Sequence, residues 1–127
     1  MIRLIATDLD GTLLEKGGAL PEGFYEVADE LKQTGILLVA SSGRQYDNLR
    51  RKFQPIAREM GFVCENGGLN ALGREIVSVH PMDRAAVLSI IQTLQGLGLS
   101  VLLSGVRCCY TWAGDRSFCD EMVYGLR

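Results

Sequence analysis

The chain has 127 residues, 47% of them hydrophobic and 22% charged, with a net charge of −2. That balance excludes an intrinsically disordered segment and leaves no overall positive field to hold nucleic acid or anionic lipid. Four cysteines without a C-x-x-C pair and a single histidine, His80, cannot furnish a structural zinc site.

Residues 2–7 are a short, branched, apolar run, the pattern of a strand buried on both faces of a parallel sheet. The run ends in Thr7-Asp8-Leu9-Asp10-Gly11-Thr12, with two carboxylates two residues apart. On an extended chain they point the same way and repel, so a cation belongs between them. Magnesium, a hard ion that takes oxygen ligands, suits that place and leaves one carboxylate able to attack a phosphorus atom. The plainer alternative makes Asp8 and Asp10 ordinary turn residues, with Gly11 reversing the chain.

Phe24, Val27, Ala28 and Leu31 recur at helical spacing, with Pro21 suited to the first turn and Gly35 to the position past the end. Residues 36–40 read as a second buried strand. After the polar turn Ser41-Ser42-Gly43, Tyr46, Leu49 and Phe53 mark one face of a second helix that Pro55 ends or kinks. Gly61–Cys64 reads as a third strand. Strand alternating with helix predicts an α/β fold, a doubly wound parallel sheet whose ligands sit beyond the carboxyl ends of its strands.

The rhythm changes after Asn66-Gly67-Gly68. Leu69–Leu72 and Glu75–Val79 predict a hairpin around Gly73, and Asp83 is placed to cap a helix carrying Val87, Ile90, Ile91 and Leu94. Strands near residues 99–103 and 107–112 and a last helical piece from about Asp115 complete an α+β pattern. A boundary near His80-Pro81 makes residues 1–80 the α/β part and 81–127 a second unit. Residues 85–106 carry no charged side chain, yet Gly96, Gly98 and several polar residues interrupt them, so no membrane span is expected. The N-terminus reaches Asp8 too soon for a signal peptide, and a cytoplasmic protein with reduced thiols is expected.

The run Asp8-Leu9-Asp10-Gly11-Thr12-Leu13-Leu14 resembles the first signature of the haloacid dehalogenase-like hydrolase superfamily, whose commonest members are magnesium-dependent phosphatases. The resemblance implies that Asp8 is the nucleophile forming an aspartyl-phosphate, and that Asp10 protonates the leaving alcohol and then activates water. It also makes the Asp8 side chain and the Asp10 backbone carbonyl magnesium ligands, with the Leu9 amide near the phosphate. Residues 37–44, ending in Ser41-Ser42-Gly43-Arg44, resemble the second signature, in which the Ser42 hydroxyl and the Gly43 amide, at a helix start, bind a phosphate oxygen. Arg44 is either a substrate contact or part of the basic group Arg50, Arg51, Lys52 and Arg58, read as a solvated helix face. Glu65-Asn66-Gly67 resembles the turn preceding the cap of the Cof-like branch, subclass IIB, and makes Asn66 a candidate substrate contact.

The same resemblance implies a later lysine near the nucleophile and a Gly-Asp motif supplying another metal ligand. No lysine follows Lys52. Gly114-Asp115 with Asp120 has the literal spacing of the acidic motif, but it falls in cap-like sequence without that lysine and is read as a decoy. The chain is therefore expected to be the N-terminal part of a longer phosphatase, stopping inside its cap, which would leave residues 2–7, a central strand in that superfamily, at an unprotected sheet edge. The leading function is hydrolysis of a small phosphorylated metabolite of sugar-phosphate or nucleotide type. The rivals are a non-catalytic binding module and a nucleotide-sugar transferase using Asp8 and Asp10 as a metal-binding D-x-D, and Gly11-Thr12 with the Ser42 segment speaks against the transferase.

Overall fold

The computed structural model describes residues 1–112, 114 and 116–122. They form two compact units, Met1–His80 and a second beginning at Pro81. In the first unit β1 (Leu4–Asp8), α1 (Phe24–Gln33), β2 (Leu37–Ser41), α2 (Tyr46–Lys52) and β3 (Gly61–Cys64) alternate. A short 3-10 turn, Glu65–Gly67, then leads to the hairpin of β4 (Leu69–Leu72) and β5 (Glu75–Val79). The five strands make one sheet in the order β1-β2-β3-β4-β5. β1, β2 and β3 are parallel, and β4 and β5 continue the sheet antiparallel. The fold is α/β with a mixed sheet: strands joined by helices run parallel, and the two joined by a tight turn cannot.

Pairing assigns the two faces. Ile5 stands beside Leu38, Ala40 beside Phe62, Phe62 beside Ala71 and Cys64 beside Leu69, so these side chains share one face. Phe24 and Ala28 of α1 and Tyr46, Leu49 and Phe53, in and just after α2, complete the same buried cluster, with Phe24 and Phe53 ring centroids 5.6 Å apart. Both helices therefore cover that one face. On the other face Leu4 is 51% and Leu72 48% exposed. Residues 2–7 are thus not buried on both faces: β1 is an edge strand, and burial of an apolar strand on two sides requires a neighbour and a cover that it lacks among the described residues.

Two contacts fix the hairpin against the helices. The Tyr46 hydroxyl donates to the Gly73 carbonyl at 2.6 Å, and the Tyr46 ring meets Phe62 edge-on with centroids 5.7 Å apart. Gly73 has φ +57°, and a Cβ there would stand 2.5 Å from the Arg58 carbonyl oxygen, so only glycine permits this approach.

The second unit begins with α3 (Arg84–Gly96), whose first turn is capped by the Asp83 carboxylate accepting the Ala86 N–H at 3.0 Å. Next come β6 (Leu102–Ser104) and β7 (Cys109–Thr111), an antiparallel pair, and then α4 (Arg116–Asp120). Asp115, the centre of the decoy motif, lies outside the described residues. No helix among the described residues is long and apolar enough to cross a membrane.

Candidate active site

The carboxyl ends of β1, β2 and β3 lie side by side, since Asp8 pairs with Ser41 and Ser41 with Val63. Three short segments therefore meet at one end of the sheet: residues 8–10, 42–44 and 65–66. In the first, the alternation of the strand continues past its end, with Asp8 and Asp10 exposed and Leu9 fully buried between them. Leu9 anchors the loop, and its carbonyl accepts the Leu14 N–H at 2.8 Å. Gly11, at φ +78°, turns the chain immediately afterwards. The Asp8 carboxylate accepts the Leu9 N–H at 2.8 Å through Oδ1, so the amide expected near a phosphate is spent here on the carboxylate beside it.

Ser42 is 7% exposed, and its Oγ accepts the Arg44 N–H at 3.2 Å, leaving the hydroxyl proton to donate. The helix start expected at Gly43 is not there. α2 begins at Tyr46, three residues on, with Gln45 as its N-cap, because Ser42 has turned its oxygen onto Arg44 and closed a local turn first. The Gly43 amide thus belongs to a loop and not to a helix terminus. Arg44 likewise stands before α2, apart from the basic residues of that helix. Its guanidinium forks onto Asp10, with Nη2 to Oδ1 at 2.7 Å and Nε to Oδ2 at 3.1 Å.

The third segment is tied to the second through the backbone. The Glu65 N–H donates to the Arg44 carbonyl and the Asn66 N–H to the Ser42 carbonyl, both at 3.2 Å. Glu65 and Asn66 hold left-handed φ values of 51° and 53°, a strained arrangement for side-chain-bearing residues that functional turns often retain. The Asn66 amide lies over Gly43, where a Cβ would come within 3.2 Å of its oxygen. Sequence reading placed Glu65 only in the turn, and its Oε1 is buried without a hydrogen-bond partner among the described residues. Burial, and then the Glu65 charge, push the neighbouring Cys64 thiol up to about 11.

Among the described residues no cluster of three or more acidic, histidine or cysteine side chains occurs. Asp8 offers an exposed carboxylate while Arg44 takes both oxygens of the Asp10 carboxylate, and one carboxylate still suits magnesium, an ion that keeps several waters and takes one or two protein carboxylates. An open cleft of about 480 Å³ lies in the second unit, lined by Leu99, Val101, Thr111 and Trp112 among others, and none of its lining side chains among the described residues is ionisable.

Residues 5–119 match the family model of haloacid dehalogenase-like hydrolases. The chain belongs to that family. It is 44% identical over 112 residues to the 5-amino-6-(5-phospho-D-ribitylamino)uracil phosphatase YbjI of Escherichia coli, covering 87% of this chain and 41% of that protein. Among solved structures it is similar to SMU.1108c of Streptococcus mutans, with a TM-score of 0.85 and 27% identity over 97% of this chain and 47% of the other. It also shares the fold of the subclass IIB sugar phosphatase BT4131, with a TM-score of 0.76 and 16% identity over 97% of this chain and 48% of that one. This member of the family therefore spans about half the length of the relatives it matches, and it corresponds to their N-terminal part.

Proposed function

We propose that the protein is a magnesium-dependent phosphatase of the cytoplasm, hydrolysing a small phosphorylated metabolite of sugar-phosphate or nucleotide type, and that this chain carries its nucleophile. The observation that carries the reading is the exposed Asp8 at the carboxyl end of β1, two residues from Asp10 and beside the Ser42-Gly43-Arg44 turn, in a chain of this family. A carboxylate at that place reaches a phosphorus atom held beyond the sheet.

In this reading an Asp8 oxygen attacks the phosphorus, the bond from phosphorus to the ester oxygen breaks, and Asp10, released by Arg44 and protonated from solvent as substrate binds, gives its proton to the departing alkoxide. Asp10, now ionised, takes a proton from water as that water attacks the phosphorus of the aspartyl-phosphate. Inorganic phosphate leaves and the Asp8 carboxylate returns. The Ser42 hydroxyl, the Gly43 amide and the Leu9 amide, once it lets go of Asp8, hold phosphoryl oxygens. Arg44 and Asn66 border the substrate. The Asp8 side chain and the Asp10 backbone carbonyl would hold magnesium, which would supply charge screening for the nucleophile and the phosphate.

Hydrolysis of p-nitrophenyl phosphate with and without magnesium tests the reading in the whole protein. Asp8→Asn is expected to remove turnover while leaving the fold intact, and a variant with wild-type activity overturns the mechanism. A second reading is a phosphate-binding module without turnover, which the same assay separates from the first; these 127 residues hold no lysine after Lys52. Loss of a single electrostatic contact to the transferring group typically costs about a hundredfold or more. The 127-residue chain alone is accordingly expected to show little or no turnover, and a rate near about 1 per second would make it a complete catalyst.

A further inference from the structure

Two carboxylates at the end of one strand need a counter-charge, and the fold already holds one. Arg44 occupies both oxygens of Asp10, at 2.7 and 3.1 Å, the two-point geometry that a planar guanidinium makes with a carboxylate and an ammonium cannot. Its backbone is fixed from both sides, the N–H on Ser42 Oγ and the carbonyl on the Glu65 N–H, each at 3.2 Å. The arm therefore starts from a set position. Three other cations of the unit are committed elsewhere: Lys32 to Glu59 at 2.7 Å, Lys52 to the Gly18 carbonyl at 2.6 Å, and Arg50 to Asp47 and the Tyr46 ring.

From this arrangement we infer that Arg44 is a positioning residue, the resident counter-ion of Asp10, which sets the charge of the acidic pair and so balances its affinities for cation and anion. The inference rests on the reading of Asp8 and Asp10 as a phosphoryl-transfer pair. Its physical content is a pair of opposite effects. A fixed positive charge in contact with Asp10 opposes a divalent cation arriving at the Asp8 side chain and the Asp10 carbonyl a few ångströms away, and the same charge attracts a phosphate arriving beside them. A residue that merely held the loop in shape would move both affinities the same way.

Magnesium alone, and inorganic phosphate at saturating magnesium, are titrated calorimetrically into the whole protein and its Arg44→Ala and Arg44→Lys variants. Arg44→Ala is expected to bind magnesium about fivefold more tightly and phosphate about tenfold more weakly, shifts on the scale of one charge at a partly solvated site. Arg44→Lys, which keeps the charge and loses the fork, is expected to return magnesium binding to near the wild-type value and phosphate only in part. Weakening of both ions, or no change in either, overturns the inference while leaving the phosphatase reading in place. A wild-type whole protein that binds neither ion sinks the parent reading instead. The pair itself is then still decided by a double-mutant cycle on the thermal midpoint of the ligand-free chain, with Arg44→Ala and Asp10→Asn. Non-additive shifts uphold the counter-ion, and additive ones remove it.

Discussion

The two units of this chain differ in what holds them together. Every buried hydrophobic residue among those described lies between Leu9 and Ala71, around the fully buried Phe53, Phe62, Leu49 and Met60. From Pro81 onward the described residues include helix, hairpin and cap, yet none is buried. Val87, Ile91 and Leu94 of α3 form a half-buried stripe, while Leu97 and Trp112 are each 69% exposed. The first unit has a core that pays for its order, and the second has regular hydrogen bonds without one. Local bonds suffice to shape an element, but its stability comes chiefly from apolar area removed from water.

The largest test of that contrast is truncation of one apolar residue in each unit. Phe62→Ala is expected to cost about 3–5 kcal/mol in urea denaturation, the usual range for emptying a buried aromatic site. Leu88→Ala, at a residue exposed on α3, is expected to stay within about 0.5 kcal/mol. Equal losses at the two positions would mean that the second unit has a core of its own.

Cysteine chemistry separates the units on a second scale. Cys64 is buried and its thiol is raised to about 11 from an ordinary 9.0, whereas Cys108 is exposed. The raised value favours the protonated thiol in the folded state. Its contribution is therefore fully present below about pH 9, where the unfolded thiol begins to ionise, and is lost as pH rises toward 11, at a slope of up to about 1.4 kcal/mol per pH unit. Denaturation midpoints for the wild type and Cys64→Ala between pH 8 and 11 measure it, the variant lacking that part of the decline. In the same samples a thiol reagent should modify Cys108 in the native chain and reach Cys64 only on unfolding.

Smaller effects sharpen the comparison further. Tyr46→Phe keeps the ring on Phe62 and deletes the donor to the Gly73 carbonyl, so it is expected to cost about 1–2 kcal/mol of the first unit's stability in the same denaturation assay. Asp83→Ala removes the N-cap of α3 and is expected to cost that helix about 1 kcal/mol. Hydrogen exchange should show it as faster exchange at α3 amides with no change at the amides of β2 and β3. Spread of the Asp83 effect into those strands would break the distinction between the units.

Much of this was legible in the sequence because it depends on short separations. The buried–exposed alternation that puts Leu9 inside and Asp8 and Asp10 outside spans three residues. The helical spacing of Phe24 and Ala28, the hairpin around Gly73 and the Asp83 cap are equally local, and each occurs where the residue pattern placed it. The family follows from the same cause, since its signatures are contiguous runs.

Other features depend on residues distant in the chain. The Arg44 fork onto Asp10 joins positions 34 apart, and nothing in either segment distinguishes it from a substrate contact or a solvated charge. The place of β1 at the sheet edge is a property of strand order, which an apolar run cannot encode, and it was expected only through the family resemblance: the same residues would suit a central strand. The start of α2 at Tyr46, where a helix terminus was expected at Gly43, turns on one hydrogen bond from the Arg44 N–H to Ser42, one of two locally competitive choices. Sequence by itself determined which elements form and which carboxylates face outward, because backbone sterics and side-chain periodicity act over a few residues. Only the tertiary structure decided which charges meet and which faces stay bare, because those depend on elements brought together across the whole chain.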